Sequence, residues 1–532
     1  MFKPSKKTVQ KSLFDQDQTF PSYVMEMLYK SWAEDFYKLI FTQINEVRYS
    51  VLYSEKGSRP NKAVNVLVSL LIQYLFSDED LIGSLFFDYR FQYALGLDSA
   101  EKRERLCVNT LSNFRCRLVE YEMQTGRNLI QEEMEELAEK MAEFFSLNTS
   151  LARMDSTMID SSCKKMTRIE LVYTVTRNMV RELSKIKDVE IPDFLKAYLE
   201  KGHKNQTIYK TRTDEENSKL AYLLQQAYDC FKWVQENRVS LDSVAFQHLK
   251  RLLEEQSVET EEGVVIPVDG KKISPQSLQN PSDPDATFRY KAGHNHVGSI
   301  LNLVEVHDPE KELGLIMHAD LKENRHSDAE FGEEFVTHHP LSEKIQTLAV
   351  DGAYFRQETI EKAEEKDIEM NFSQMTGRNV SDTDIGVNQF EIDKDTHKIT
   401  RCPQGYEPTF SVYDSEKKEY TAKFYKQHCN QCPLKEFCQV KEQKKAFHIS
   451  FSESKRKTDE IRSKIGSKRH KELSNYRAGI EGTPSILKRV YQLEHLPVRG
   501  LVRSKIWVYA SIIAQNFKRC VKCLRKMTVV PQ

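Results

Sequence analysis

The chain is poor in several things, and each absence narrows what it can be. No window approaches the roughly 18 consecutive apolar residues of a membrane-spanning helix, so no membrane span is expected. The start, MFKPSKKTVQKSLFDQDQTF, is polar and has no apolar leader core. No G-x-x-x-x-G-K-[ST] loop occurs, which leaves an ATP-driven mechanism unsupported. The ten cysteines do not fall into the pattern of a secreted disulfide framework. Tryptophan is scarce: only Trp32, Trp233 and Trp507 are present. Net charge is almost absent, at −1 over 532 residues. These traits fit a cytoplasmic protein of two or three domains.

The near-neutral sum hides a strong asymmetry. Residues 451–532 carry 19 Lys/Arg against 6 Asp/Glu. A basic terminal segment on an otherwise acidic chain predicts a local polyanion-binding face. The bland alternative is a solvated charged helix.

Against that background three carboxylates have informative surroundings. Asp155 lies in MDSTMID and Asp351 in TLAVDGAYF, both after apolar runs that read as strands. Glu481 lies in NYRAGIEGTPSILKR, a basic segment that reads as a helix. Mg²⁺ is a hard ion that takes oxygen ligands. Two such ions about 4 Å apart can activate an attacking oxygen and stabilise a leaving one. Phosphoryl transfer needs mainly positioning and charge neutralisation, so few other groups are required. On a continuous helix Arg477, Glu481 and Lys488 share one face. That face would set a metal ligand between two cations suited to phosphates. Asp160, five residues after Asp155, is the reserve ligand. A regular strand turns the two to opposite sides.

Arg477-(3)-Glu481-(6)-Lys488 fits the last three terms of the signature Y-(2)-R-(3)-E-(6)-K, and here the chain resembles bacterial insertion-sequence transposases of the DDE class. Ser474 holds the Tyr position, with Tyr476 two residues on. RGLVRSKIWVYASIIAQNFKR, the D-S-T at Asp155 and the D-G-A-Y-F at Asp351 extend the likeness from about residue 60 to the end. The resemblance implies catalytic metal ligands at Asp155, Asp351 and Glu481, with Mg²⁺ or Mn²⁺ as cofactor. It implies double-stranded DNA as partner, both transposon inverted-repeat ends and target, and phosphate contacts from Arg477 and Lys488. A homodimer on DNA and a nucleoid-associated location in the cytoplasm are expected. The alternatives are a metal-dependent nuclease without strand joining and an inactive, domesticated DNA-binding protein.

Cys402, Cys429, Cys432 and Cys438 form a second cluster, in CPQGYEPTF and HCNQCPLKEFC. A C-x₂-C pair with two further thiols at short range predicts a Zn²⁺ tetrahedron, with sulfurs under 4 Å apart. An iron–sulfur cluster and four reduced, metal-free thiols are the alternatives. Such blocks occur in a subset of these transposases, between the second Asp and the Glu. Cys520 and Cys523 fall in an amphipathic run and read as helix neighbours.

The predicted organisation is α/β. Residues 1–60 form an N-terminal arm and 61–146 a helical N-terminal domain. In the latter AVNVLVSLLIQYLF is an apolar helix, and Asn109-Thr110 caps the next. Residues 147–163 and 264–375 make the catalytic core. It is interrupted by a helical insertion (164–263) and by a cysteine-containing β insertion (376–450). Basic helices (451–532) carry Glu481. VGSILNLVEVHD and LGLIMHADLK read as a hairpin over DPEKE. Arg289, Lys291, His294 and His296, just before it, are solvated or phosphate-facing. The order matches a ribonuclease-H-like mixed sheet flanked by helices, and the insertions explain ligand separations of 196 and 130 residues. Pro484 biases Thr483 away from helix and favours a new helix start, so the Glu481 helix is expected to end or kink there. In some of these transposases a Trp in the insertion stacks on a flipped base; with no Trp in residues 352–480, either Tyr406, Phe410 or Tyr413 takes that place or no base flips.

Overall fold

A computed structural model describes residues 20–53, 77–96, 107–187, 189–209, 215–261, 263–291, 293–375 and 385–529. The apolar segment AVNVLVSLLIQYLF lies outside them. The chain forms two compact units. The first comprises Met1–Thr149, Ser156–Ser327 and Glu481–Gln532, and the second Ser150–Asp155 and Asp328–Ile480. Strand β1 (Leu151–Asp160) runs from the second into the first.

In the first unit, helices α1 (Val108–Thr125) and α2 (Leu129–Phe144) meet at a tight corner. Gly126 ends α1 at φ +74, a left-handed conformation that costs glycine little. The Asn128 side chain then caps α2 by accepting from the Ile130 and Gln131 N–H groups. Leu129, Ile130, Met134, Leu137, Ala138 and Met141 are buried along one face, the helical 3–4 spacing of a core-facing stripe. The cap of α1 differs from expectation. The helix begins at Val108, and Thr110 Oγ1 accepts from the Cys107 N–H at 3.5 Å. The hydroxyl reaches back from inside the first turn instead of standing before it.

The helical block following β1 has its own core. Helices α3 (Arg168–Leu183), α4 (Glu216–Asn237) and α5 (Val244–Gln256) bury Val172, Met179, Leu183, Leu224, Ala227 and Leu249 against one another. Thr167 and Ser243 cap α3 and α5. The block closes with an unexpected hairpin, Ser257–Glu259 against Val265–Pro267.

Strands β2 (Thr287–Lys291), β3 (His294–Asp308) and β4 (Leu313–Glu323) pair antiparallel. The β3–β4 pair is the expected hairpin, while β2 was not foreseen. Most of Ile300–Val306 and Leu313–Ala319 is buried without alternation, as in strands covered on both faces. The register slips between Val304 and Glu305. Such a bulge leaves ladder groups unmatched, and the Asn516 side chain serves both backbone groups of Ile316, at 2.9 and 2.8 Å. Asn516 lies on the long C-terminal helix Leu501–Val529. Lys505 of that helix pairs with Glu122 of α1 at 2.7 Å.

In the second unit, Leu151–Arg153 of β1 pair parallel with β5 (Thr347–Val350), and β5 pairs parallel with β6 (Glu369–Phe372). A parallel neighbour needs a crossover, which the helix Gln357–Glu365 supplies between β5 and β6. A separate antiparallel sheet holds β7 (Phe410–Asp414), β8 (Glu419–Tyr425) and β9 (Ala446–Ser452), with Lys441–Glu442 at its edge. Its strands alternate. Tyr420, Ala422, Phe424, Phe447, Ile449 and Phe451 face one core and the intervening residues face outward. The chain is thus α/β, with parallel and antiparallel strands flanked by helices, consistent with a ribonuclease-H-like fold.

Candidate active site

Both aspartates lie two residues beyond a paired stretch of parallel strands. Leu151, Ala152 and Arg153 pair with Thr347, Leu348 and Ala349. Continued by two residues, the same register would set Asp155 beside Asp351. Neighbouring strands lie about 4.8 Å apart. Asp351 ends its strand and caps the turn Gly352–Tyr354. Its Oδ1 accepts from the Gly352 N–H at 2.6 Å and from the Ser373 hydroxyl at 3.4 Å. Gly352 has no room for a side chain, because a Cβ there would meet the Gln374 carbonyl oxygen at 2.1 Å.

Helix Lys468–Ala478 fixes the other aspartate. Arg477 Nη2 donates to Asp155 Oδ1 at 3.0 Å, with both side chains largely buried. Tyr476, near the position of the signature Tyr, donates its hydroxyl to the Leu151 carbonyl at 2.9 Å. Arg153 donates to the Tyr476 carbonyl at 2.7 Å and lies over the Tyr476 ring. Arg477, read from sequence as a phosphate contact, is therefore the ion-pair partner of Asp155 in this structure.

The helix expected to carry Glu481 stops before it. It ends at Ala478, Gly479–Glu481 form a 3₁₀ turn, and a new helix runs from Gly482 to Val490. The break falls earlier than Pro484. A Cβ on residue 479 would come within 2.3 Å of Arg153 Nη1. Arg477 and Lys488 consequently lie on different helices.

Glu481 is exposed and opens the last segment of the first unit. Two residues on, the Thr483 hydroxyl donates to Glu305 Oε2 at 2.7 Å. Glu305 is fully buried at the β3 bulge, and Arg519 spans the pair, reaching Glu305 at 2.7 Å and Thr483 at 2.6 Å. Burying a carboxylate is costly unless it is paired and hydrogen-bonded, and these partners meet that requirement. Lys488 pairs with Glu494 at 3.1 Å.

Asp160 is engaged elsewhere, by His296 at 3.0 Å and Lys165 at 3.1 Å. Arg289 donates to the carbonyls of Asn324 and His326, so Arg289 and His296 both have structural partners. Of the three aromatics suited to stacking, Tyr406 stacks on His428 and Tyr413 on His397. Phe410 remains about half exposed beside Lys423.

Cys402, Cys429, Cys432 and Cys438 line one cavity in the second unit. Their sulfurs are looser than the expected 4 Å spacing: among the described residues, no three lie within 4.8 Å of one another. Cys520 and Cys523 are buried on the C-terminal helix, as helix neighbours.

Sequence reasoning gave no role to Arg153, Ser373, Glu305 or Arg519. Only Arg153 carried a signal, since it stands two residues before Asp155 and so on the same face of the strand.

Residues 401–521 match the Transposase DDE domain family. The match covers under a quarter of the chain. It takes in the four cysteines, Arg477, Glu481, Lys488 and Arg519, and leaves Asp155 and Asp351 outside. Comparison with curated proteins and with solved structures gives no match. The family match supports a DDE-type transposase, an enzyme class that uses a divalent metal and acts on DNA. Among the described residues no helix is long and apolar enough to cross a membrane.

Proposed function

We propose that this chain is a DNA transposase that cuts transposon ends and joins them to target DNA by two-metal-ion phosphoryl transfer. The observation that supports the reading is the parallel pairing of Leu151–Arg153 with Thr347–Ala349, which stops two residues short of Asp155 and Asp351. The family match around Glu481 supports it. Asp155, Asp351 and Glu481 would hold the divalent ions. The donors are all carboxylate oxygens, which fit Mg²⁺ or Mn²⁺. The metal, when bound, would supply charge neutralisation at the phosphate and activation of the attacking oxygen.

The chain's own residues do the positioning. Ser373 and the Gly352 N–H orient the Asp351 carboxylate. Arg477 balances the charge on Asp155, and Arg153 with Tyr476 ties β1 to the helix that carries Arg477. Thr483, Glu305 and Arg519 anchor the segment that follows Glu481. We read residues 164–263 and 376–450 as insertions into a ribonuclease-H-like core, and the active form as a homodimer on DNA.

The test uses DNA ends taken from inverted repeats flanking the gene. Cutting in Mg²⁺, followed by joining of pre-cut 3′-hydroxyl ends to a target plasmid, supports the reading. Cutting without joining identifies a nuclease. Binding without cutting identifies an inactive DNA-binding protein.

A further inference from the structure

We propose that Cys402, Cys429, Cys432 and Cys438 bind one Zn²⁺ as a four-thiolate structural site in the second unit. All four are free thiols of intermediate exposure on one cavity of about 20 Å³. That is room for a single water-sized occupant. Zinc fits the donor set, since a C-x₂-C pair plus two further thiolates makes the closed tetrahedron of structural sites.

The backbone delivers the thiols from turns. Cys402 follows the short strand Ile399–Arg401, and its carbonyl accepts from the Gly405 N–H at 2.7 Å. Gly405 sits at φ +86, which L side chains rarely adopt. Cys429 lies in the short helix Lys426–Asn430, and the Cys432 N–H donates to the Cys429 carbonyl at 3.3 Å. Cys438 is held by its neighbour Phe437, whose carbonyl accepts from the Ile385 N–H at 3.2 Å. Between Tyr425 and Lys441 this five-residue helix is the one regular element. The stretch nevertheless closes one end of the small sheet's core, against which Cys402, Cys429 and Cys438 pack.

A metal is the cross-link such a stretch needs. Zinc–sulfur bonds of about 2.3 Å bring the four sulfurs within about 4 Å of one another. No three of the sulfurs lie within 4.8 Å of one another here, so binding must bring them closer. The site is remote in chemistry from the proposed carboxylate centre, because thiolates select zinc over magnesium.

The test is the metal content of the purified full chain by inductively coupled plasma mass spectrometry, independent of any DNA assay. Wild-type protein and the exposed-thiol control Cys116→Ser should carry about one zinc per chain. Cys402→Ser and Cys432→Ser should lose it. Should those variants fail to fold, mercurial titration of wild type decides, with about four thiols becoming reactive for each zinc released. Zinc retained in both variants, wild type without zinc, or iron in its place would overturn the proposal. None of these outcomes bears on whether the chain cuts DNA.

Discussion

Replacing Arg477 by alanine removes the cation that faces Asp155. The two groups are 3.0 Å apart, and their side chains are only 12% and 18% exposed. At an effective dielectric of about 20, unit charges at that distance attract by roughly 5–6 kcal/mol. Desolvation takes much of this back, leaving a net contribution of about 1.5–3 kcal/mol for a charged hydrogen bond. A second effect follows from the strand register. Carboxylates carried at the spacing of neighbouring strands, about 5 Å, repel by up to roughly 3 kcal/mol at the same dielectric. In the wild type Arg477 offsets that repulsion, and in the variant a divalent cation is the natural substitute. Metal-free Arg477→Ala should therefore melt at a lower temperature than wild type. Added Mg²⁺ should raise its melting temperature more than it raises that of wild type, by the linkage of binding to stability. Each 1.4 kcal/mol recovered by the ion tightens its binding about tenfold. Scanning calorimetry across a Mg²⁺ series, with ionic strength matched by NaCl, measures both. An unchanged melting temperature, or equal Mg²⁺ shifts in the two proteins, would refute the reasoning.

Gly352→Ala should lose DNA cleavage and about 1–3 kcal/mol of stability, because the new Cβ displaces the turn that aims Asp351. Gly270→Ala, which meets nothing within 4 Å, should change neither, as chemical denaturation and a nicking assay would report. Lys488→Ala should weaken binding to all DNA sequences and flatten the log–log salt slope by about 0.9, after release from Glu494. An unchanged slope would remove Lys488 from the phosphate contacts. In metal-stripped protein at pH 8, Cys107 should alkylate fast and Cys429 slowly, as mass spectrometry can map. Hydrogen bonds with Thr110 lower the Cys107 thiol, while burial and then the neighbouring Cys438 push Cys429 up to about 11. Thiolate is the reactive form, so the slow site should speed up only as pH rises toward 11. Equal rates at pH 8 would contradict the assigned environments.

The elements that could be read from the chain are those set by local pattern. The β3–β4 hairpin announced itself as two apolar runs across DPEKE. The strand before Asp351 ended where its apolar run ended, at Val350, and Asp155 and Asp160 fell on one strand. The spacing of the four cysteines placed them on one cavity. What escaped was tertiary. The alignment of β1 with β5 depends on a register between segments 196 residues apart, and no local signal encodes it. The helix break was expected at Thr483–Pro484 from proline's backbone preference. It falls at Gly479, which packs against Arg153, more than 300 residues earlier. Arg477 read as a phosphate ligand from its place four residues before Glu481, and its ion-pair partner Asp155 comes from a strand more than 300 residues earlier. The buried Glu305 and Arg519 were invisible for the same reason. A charged residue in a strand or helix reads as solvent-facing until its partner is known.

The central claim, that Asp155, Asp351 and Glu481 hold the divalent ions, has a direct test that needs no DNA substrate. Fe²⁺ bound in place of Mg²⁺, with ascorbate and peroxide, cuts the polypeptide backbone beside the ion, and mass spectrometry locates the cuts. The account predicts cuts near all three residues, suppressed by excess Mg²⁺ and lost in Asp351→Asn. Cuts that avoid these segments, or that fall near the two aspartates and never near Glu481, would contradict it.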